Sequence, residues 1–350
     1  MVTGSEKTAI YALTPHGARL GRTLADKLRG DLFLPARLAD SHEAISFDHL
    51  LDAVAKNFCL FPRHIFIAAT GIVVRAIASH LKSKDRDPAV LVLDQDGEYV
   101  ISLLSGHLGG ANELAHKVAQ LTGGNAVITT ATDTAGLPAI DLLSKERNLS
   151  IANLKAVKSV NMALLSGEPV QVFDPEDRLG LKKQERPGFE VEWVENEDQW
   201  ISGHAGVWVT WKNIGPGSET NRLILHPKCL VAGIGCNRGT GRPEIVDLLI
   251  NTFKKISLSL KSLKCITTIE AKKDEPGLLK AAGELDVPLL FAGKSELESI
   301  KVPHPSSMVK KHMGVSSVCE ATAILKSGGG RLLVPKTKSL NATLAVALEV

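Results

Sequence analysis

A chain of 350 residues, 44% of them apolar and 23% charged, with a formal net charge of +3, is sized for two or three domains with proper cores. That balance gives no global argument for nucleic acid as a partner, and no apolar run is long enough to span a bilayer. The five cysteines, Cys59, Cys229, Cys236, Cys265 and Cys319, lack zinc spacing and read as reduced thiols of a cytoplasmic protein, while Met1 to Lys7 carries no signal-peptide pattern.

Taken in order, Thr8–Leu13 reads as a strand. Thr14-Pro15 then caps a helix over His16–Leu28, with Leu20, Leu24 and Leu28 on one stripe. Asp31–Leu34 is a second strand. Phe47–Phe58 is expected to be a helix with Leu50, Leu51, Val54 and Phe58 facing a core. Ile65–Ala69 is a strand running through Thr70-Gly71 into a helix over Ile72–Leu81. Ala89–Leu93 and Tyr99–Leu104 flank Asp94–Glu98 as a hairpin, with Asp96-Gly97 able to take positive φ. Asn125–Thr129 is a further strand, followed by Thr130–Asp133. The alternation predicts a layered α/β sheet. If its strands are parallel, the ends at Thr14, Thr70 and Ser105 gather on the rim where such sheets bind ligands.

The stretch Tyr99–Ala115 stands out as the centre of the chain. A strand breaks into Ser105-Gly-His-Leu-Gly-Gly110 and resumes as a helix with Leu114, Ala115, Val118, Ala119 and Leu121 on one side. Gly106, Gly109 and Gly110 allow a sharp bend and close approach of a ligand. The helix start presents N–H groups to an anion. His107 is the side chain best able to move a proton near neutral pH. The same pattern also describes a tight strand-to-helix turn with a surface histidine.

From about Gly136 the character changes. Pro138–Arg147 and Leu154–Leu165 read as helices and Val170–Phe173 as a strand. Pro175–Gly188 reads as a charged loop, and Phe189–Val194 and Gly206–Trp211 as exposed strands. All four tryptophans, Trp193, Trp200, Trp208 and Trp211, fall here and read as core. Leu230–Gly235 opens a third unit, with Thr240 or Gly241 capping the next helix and Pro243 in its first turn. Cys265–Ala271, Pro288–Ala292 and Leu332–Pro335 read as strands. Helices are expected from Glu275 to Gly283 and from Ser317 to Ser327. The domains are placed at 1–135 (layered α/β), 136–226 (small α+β) and 227–350 (α/β). The Gly-Ile-Gly at 233–235 lacks the third glycine of a dinucleotide fingerprint and there is no P-loop. From Lys228 onward there are roughly 18 Lys and Arg against roughly 11 Asp and Glu, a bias that suits either a solvated surface or a polyanionic small molecule.

Eight segments in order carry a resemblance: Ala12–Ala18, Ala69–Arg75, Ser105–Asn112, Ile128–Asp133, Ala156–Asn161, Gly233–Thr240, Lys273–Leu278 and Ser317–Ala321. Together they resemble the CbiG family, the cobalt-precorrin-5A hydrolases of anaerobic cobalamin synthesis. The C-terminal part is similar to a stand-alone protein of the aerobic pathway. Asn237, Gly241 and Cys319 depart from the commonest family residues.

The resemblance implies that water opens a ring-A δ-lactone and that C20 leaves with its methyl as acetaldehyde, giving cobalt-precorrin-5B. Cobalt then arrives in the macrocycle, so no protein metal site and no further cofactor are expected. The partners implied are a corrinoid and possible contacts with other enzymes of the pathway, without nucleic acid or membrane. A carboxylate-rich corrinoid needs anion subsites. Thr70, Gly71, Arg75, Gly106, Gly109, Gly110, Asn112, Arg238, Gly239, Thr240, Lys272 and Lys273 are the candidates. For the chemistry His107 is the expected acid or base, with Ser105, Thr70 or loop N–H groups holding the oxyanion. Glu113 either orients His107 or complements its helix dipole. Asp133 is a second acid–base candidate or a simple Asx cap. A serine-nucleophile reading of Ser105 lacks the GxSxG elbow. A corrinoid carrier without chemistry, and a dinucleotide-dependent oxidoreductase, are the rival classes.

Overall fold

The computed structural model describes residues 7–40, 43–83, 86–107, 109–134, 136–137, 139–182, 190–214, 220–305 and 317–350. Expectations for Met1–Glu6, Leu108, Ala135, Pro138, the stretch 183–188 and Phe189 lie outside them. The chain divides into two compact units, 2–143 and 144–350.

The first unit is built on a seven-stranded sheet. Its strands are β1 (Thr8–Ala12), β2 (Asp31–Pro35), β3 (Ile45–Phe47), β4 (Arg63–Ile67), β5 (Ala89–Leu93), β6 (Tyr99–Leu104) and β7 (Asn125–Val127). Their order is β3-β2-β1-β4-β5-β6-β7. The unbroken apolar runs of β1, β4 and β5 are buried because helices cover both faces of the sheet. Thr14 starts the helix Pro15–Leu28 as expected, its hydroxyl accepting from the Gly17 N–H at 3.0 Å. The helix expected from Phe47 begins only at Leu50, because Phe47 closes the edge strand β3. Leu51, assigned to the core, is 62% exposed.

Strands β1 to β5 are parallel, β6 runs against β5, and β7 is parallel to β6. The reversal is made by the expected hairpin. The Asp94 carboxylate accepts from the N–H groups of Asp96 at 2.8 Å and Tyr99 at 2.6 Å, and Gly97 takes φ +71°. Leu93 thus faces Val100 and Val90 faces Leu104. Chain exits from β1 and β4 therefore lie on one rim, and the exit from β6 at Ser105 lies on the other. Thr14 and Thr70 share a cleft of about 560 Å³ with Leu13, Ala69 and Ile72. Ser105 is not among its neighbours, so the three strand ends do not gather as a parallel sheet would require.

On β4, His64 is buried among Tyr11, Phe58 and Phe66 rings. Burial pushes its pKa down to about 4, against a hydrogen bond from its ring to the Phe58 carbonyl. Below the ordinary histidine pKa the unfolded chain takes up a proton that the folded chain refuses. Stability is expected to fall on the order of 3 kcal/mol as pH drops from 6.5 towards 4. Urea unfolding at a series of pH values checks this, with His64→Phe, which keeps the ring stack, losing that share of the acid sensitivity.

The second unit holds two five-stranded sheets. One comprises β8 (Leu149–Ile151), β9 (Val170–Phe173), β10 (Val191–Trp193), β11 (Gly206–Val209) and β12 (Arg222–Pro227), in the order β10-β9-β11-β12-β8. Only β8 runs antiparallel. Strand β11, expected to be exposed, is buried throughout because it lies between β9 and β12. Trp200 and Trp208 pack edge to face in the core, with the Arg222 guanidinium over both, whereas Trp193 is exposed. The other sheet comprises β13 (Leu230–Cys236), β14 (Leu263–Ile269), β15 (Leu289–Ala292), β16 (Leu332–Lys338) and β17 (Ala342–Leu348), in the order β15-β14-β13-β17-β16. Strands β13, β14 and β15 are parallel, so the loops after them share a rim. Strand β17, central and unread from sequence, runs against both of its neighbours. Gly241 precedes the helix Arg242–Lys255 with Pro243 in the first turn, whereas the Thr240 hydroxyl donates to the Asn237 carbonyl at 2.8 Å.

Candidate active site

The loop Ser105–Gly110 leaves β6 and enters the helix Ala111–Thr122, with Gly110 at φ +83°. Strand β7 beside it ends on the same rim and delivers the segment to Asp133. The two lie close because β6 and β7 are parallel neighbours. His107 Nε2 faces Asp133 Oδ2 at 2.9 Å, and His107 Nδ1 faces Asp141 Oδ2 at 3.6 Å. Asp141 is in the helix Ile140–Glu146. One imidazole thus stands between two carboxylates, its side chain 16% exposed.

Asn112 fixes the first of these partners, Asp133. It is buried, its amide donates to Asp133 Oδ2 at 3.0 Å and to the Thr130 hydroxyl at 2.8 Å, and its Oδ1 accepts from Ser102 at 2.7 Å. Gly106 is needed against it, since a Cβ there would lie 2.7 Å from Asn112 Oδ1. A buried amide satisfied on both ends is a rigid prop for a carboxylate.

The Asp141 carboxylate raises the His107 pKa most, burial opposes it, and Asp133 raises it further. Asp141 acts more strongly despite its longer separation because its side chain is 7% exposed against 31% for Asp133. Less water screens the deeper charge. An imidazole whose charged form is favoured in this way is placed to donate a proton at one stage and recover it at another.

Several expected contributors stand elsewhere. Ser105, at φ +57°, donates its hydroxyl to the Asp87 carbonyl at 2.9 Å, which pins the loop to the start of β5. That hydroxyl is committed to backbone and is not aimed at an oxyanion. Glu113 is exposed in the first turn of its helix, so Asp133 and Asp141 orient His107 in its place. Helical geometry turns Asn112 inward and Glu113 outward. Thr70, Gly71 and Arg75 are on the opposite rim, where Arg75 donates back to the Gly71 carbonyl at 2.9 Å. Gly109 and Gly110 remain with His107 in its loop, but Leu108 between them is outside the described residues.

In the second unit the anion candidates do come together. Arg238 meets Asp274 at 3.1 Å, the Gly239 N–H donates to Glu275 at 2.8 Å, and Lys272 lies 3.6 Å from the buried Glu275. These two loops follow β13 and β14 on one rim, with Thr240 beneath them and Lys273 exposed. Their carboxylates already neutralise part of the basic charge.

The residue that sequence reasoning missed is Asp141. Its signal was available: a lone carboxylate inside the apolar run Ala139-Ile-Asp-Leu-Leu143 has to find a buried partner.

These features define a modular α/β protein with a histidine–carboxylate centre on the rim of its first sheet. Comparison with known proteins agrees across the chain. Residues 52–133, 138–227 and 230–347 match the families described as Cobalamin synthesis G N-terminal, Cobalamin biosynthesis central region and Cobalamin synthesis G C-terminus. The cobalt-precorrin-5A hydrolase of Priestia megaterium is 34% identical over 352 residues, covering 97% of this chain and 94% of that protein. The cobalt-precorrin-5A hydrolase of Salmonella typhimurium is 36% identical over 349 residues, covering 98% of each. Protein CobE of Sinorhizobium is 32% identical over 123 residues, 34% of this chain and 79% of that protein. The chain belongs to the cobalamin synthesis G (CbiG) family.

Proposed function

We propose that this protein is a cobalt-precorrin-5A hydrolase. It adds water to the ring-A δ-lactone, and the C20 carbon departs with its methyl as acetaldehyde, leaving cobalt-precorrin-5B. Similarity over nearly the whole length to two proteins of that name supports the substrate. The observation that carries the chemistry is His107 held between Asp133 and Asp141.

Lactone opening needs a proton removed from the attacking water and a proton supplied when the carbon fragment leaves. In this reading Asp133 and His107 form the exchanging pair. Asp141 holds the imidazole from the buried side, and Asn112 holds Asp133. The N–H groups of Gly110, Ala111 and Asn112 donate to the carbonyls of His107, Ser105 and Gly106, so in this reading the helix start offers developing negative charge its dipole rather than free donors. Cobalt is carried by the macrocycle, so the reading requires no separate cofactor. A cytoplasmic location goes with it, and among the described residues no helix is long and apolar enough to cross a membrane.

The test is direct. Purified protein given cobalt-precorrin-5A in the absence of oxygen is expected to release one acetaldehyde per corrinoid, measured by a coupled aldehyde assay. Corrinoid binding without any acetaldehyde would instead identify a carrier.

A further inference from the structure

The last sheet holds a second histidine–carboxylate pair that the hydrolysis does not use. Glu320, in the first turn of the helix Val318–Lys326, is fully buried. Its Oε1 accepts from His304 Nδ1 at 2.8 Å and from the Lys336 N–H at 3.0 Å, and its Oε2 accepts from the His304 N–H at 3.1 Å. A carboxylate that accepts at Nδ1 assigns the ring hydrogen to that nitrogen and leaves the lone pair on Nε2. The His304 side chain is 59% exposed. Among the described residues Nε2 has no protein partner.

Such a pair, a buried carboxylate fixing the tautomer and angle of an exposed imidazole, is the arrangement that supports histidine as a metal ligand. Four of the other described histidines have ring nitrogens already engaged. His107 faces carboxylates with both nitrogens, His16 faces Arg19 and Asp96, and His64 and His226 are buried against backbone carbonyls. No cluster of three or more ligating side chains occurs among the described residues, so a bare ion would find no cage there. A cobalt already held by four macrocycle nitrogens has axial positions left, and a single imidazole is enough to fill one of them.

We infer that His304 ligates the cobalt of a corrinoid bound at the second unit, axially through Nε2, with Glu320 as its positioning residue. The imidazole lone pair replaces a water on the metal, and no electron is transferred. The inference rests on the corrinoid reading above and concerns the second unit by itself.

Cob(II)inamide is a suitable probe because it carries no appended base of its own. Bound to the full chain, it is expected to show each resolved cobalt line in the electron paramagnetic resonance spectrum split into a triplet by one nitrogen. In His304→Ala the triplet disappears. Because Glu320 is buried, Glu320→Gln is the secondary variant, expected to weaken probe binding about 10–100-fold. A bound probe without nitrogen splitting, a probe that the wild type does not bind, or a triplet that survives in His304→Ala each overturns the assignment. Acetaldehyde release by the same preparation judges the hydrolase reading separately.

Discussion

Replacing His107 with Ala is expected to lower acetaldehyde release about 10²–10⁴-fold, the range that a positioned acid–base group supplies. Corrinoid binding is expected to remain, because the ring is small beside a macrocycle and its contacts are with Asp133 and Asp141. Single-turnover assays with cobalt-precorrin-5A, alongside equilibrium titration of the corrinoid, separate the two quantities. His107→Gln is the companion variant, retaining a hydrogen-bonding side chain but no titrating group. Turnover that persists in both variants would remove the imidazole from the chemistry.

Asp141→Asn carries the second large effect, a loss of about 100-fold or more in kcat. The precedent is the buried carboxylate that sets tautomer and orientation in a catalytic triad, where the same change is severe. A purely structural role for Asp141 would lower the amount of folded protein but leave the pH profile in place. A positioning role moves the profile. The hydrogen bond to the Asp141 carboxylate is the largest influence raising the His107 pKa, so weakening it together with the charge lets that pKa drop, and the limb of the profile that reports loss of the imidazolium proton shifts to lower pH. Stability follows the same sign. The Asp141–His107 interaction contributes fully below the ordinary histidine pKa and is lost as pH rises through the raised one. The stability gap between wild type and Asp141→Asn should therefore narrow on going from pH 6 to alkaline conditions.

Much of this centre was legible in the chain itself. The loop was recognisable because glycines at 106, 109 and 110 interrupt a strand just before a strongly periodic helix. His107 was recognisable because it is the titrating side chain inside that interruption. Asp133 was named, and Asp141 was not, because residues 136–143 have no strand or loop signature to flag them. The anion loops at Arg238 and Lys272 were found together because both follow strands of a parallel trio, where local pattern and sheet topology agree. Thr70 and Arg75 were grouped with His107 for the opposite reason. Hairpin chemistry at Asp94–Gly97 was read correctly, but a hairpin reverses direction, and everything after it exits at the other rim. The three-residue strands β3 and β8 were missed or misplaced because strands of that length offer too little periodicity to register. Strand β11 read as exposed because its alternation does not reveal that it lies inside its sheet, between β9 and β12.

The turn at Asp94–Glu98 has a consequence for how the molecule assembles. Which rim carries the imidazole is decided by a five-residue bend, and the pairing that it starts joins neighbours in sequence. Contacts of that kind form on the microsecond scale, well before the distant strands of a mixed sheet find one another. The handedness of the histidine loop is thus settled early, as a local event, and the slower closure of the sheet inherits it. A lesion in this bend, far from any reacting atom, would surface as inactive protein whose histidine never reached its two carboxylates.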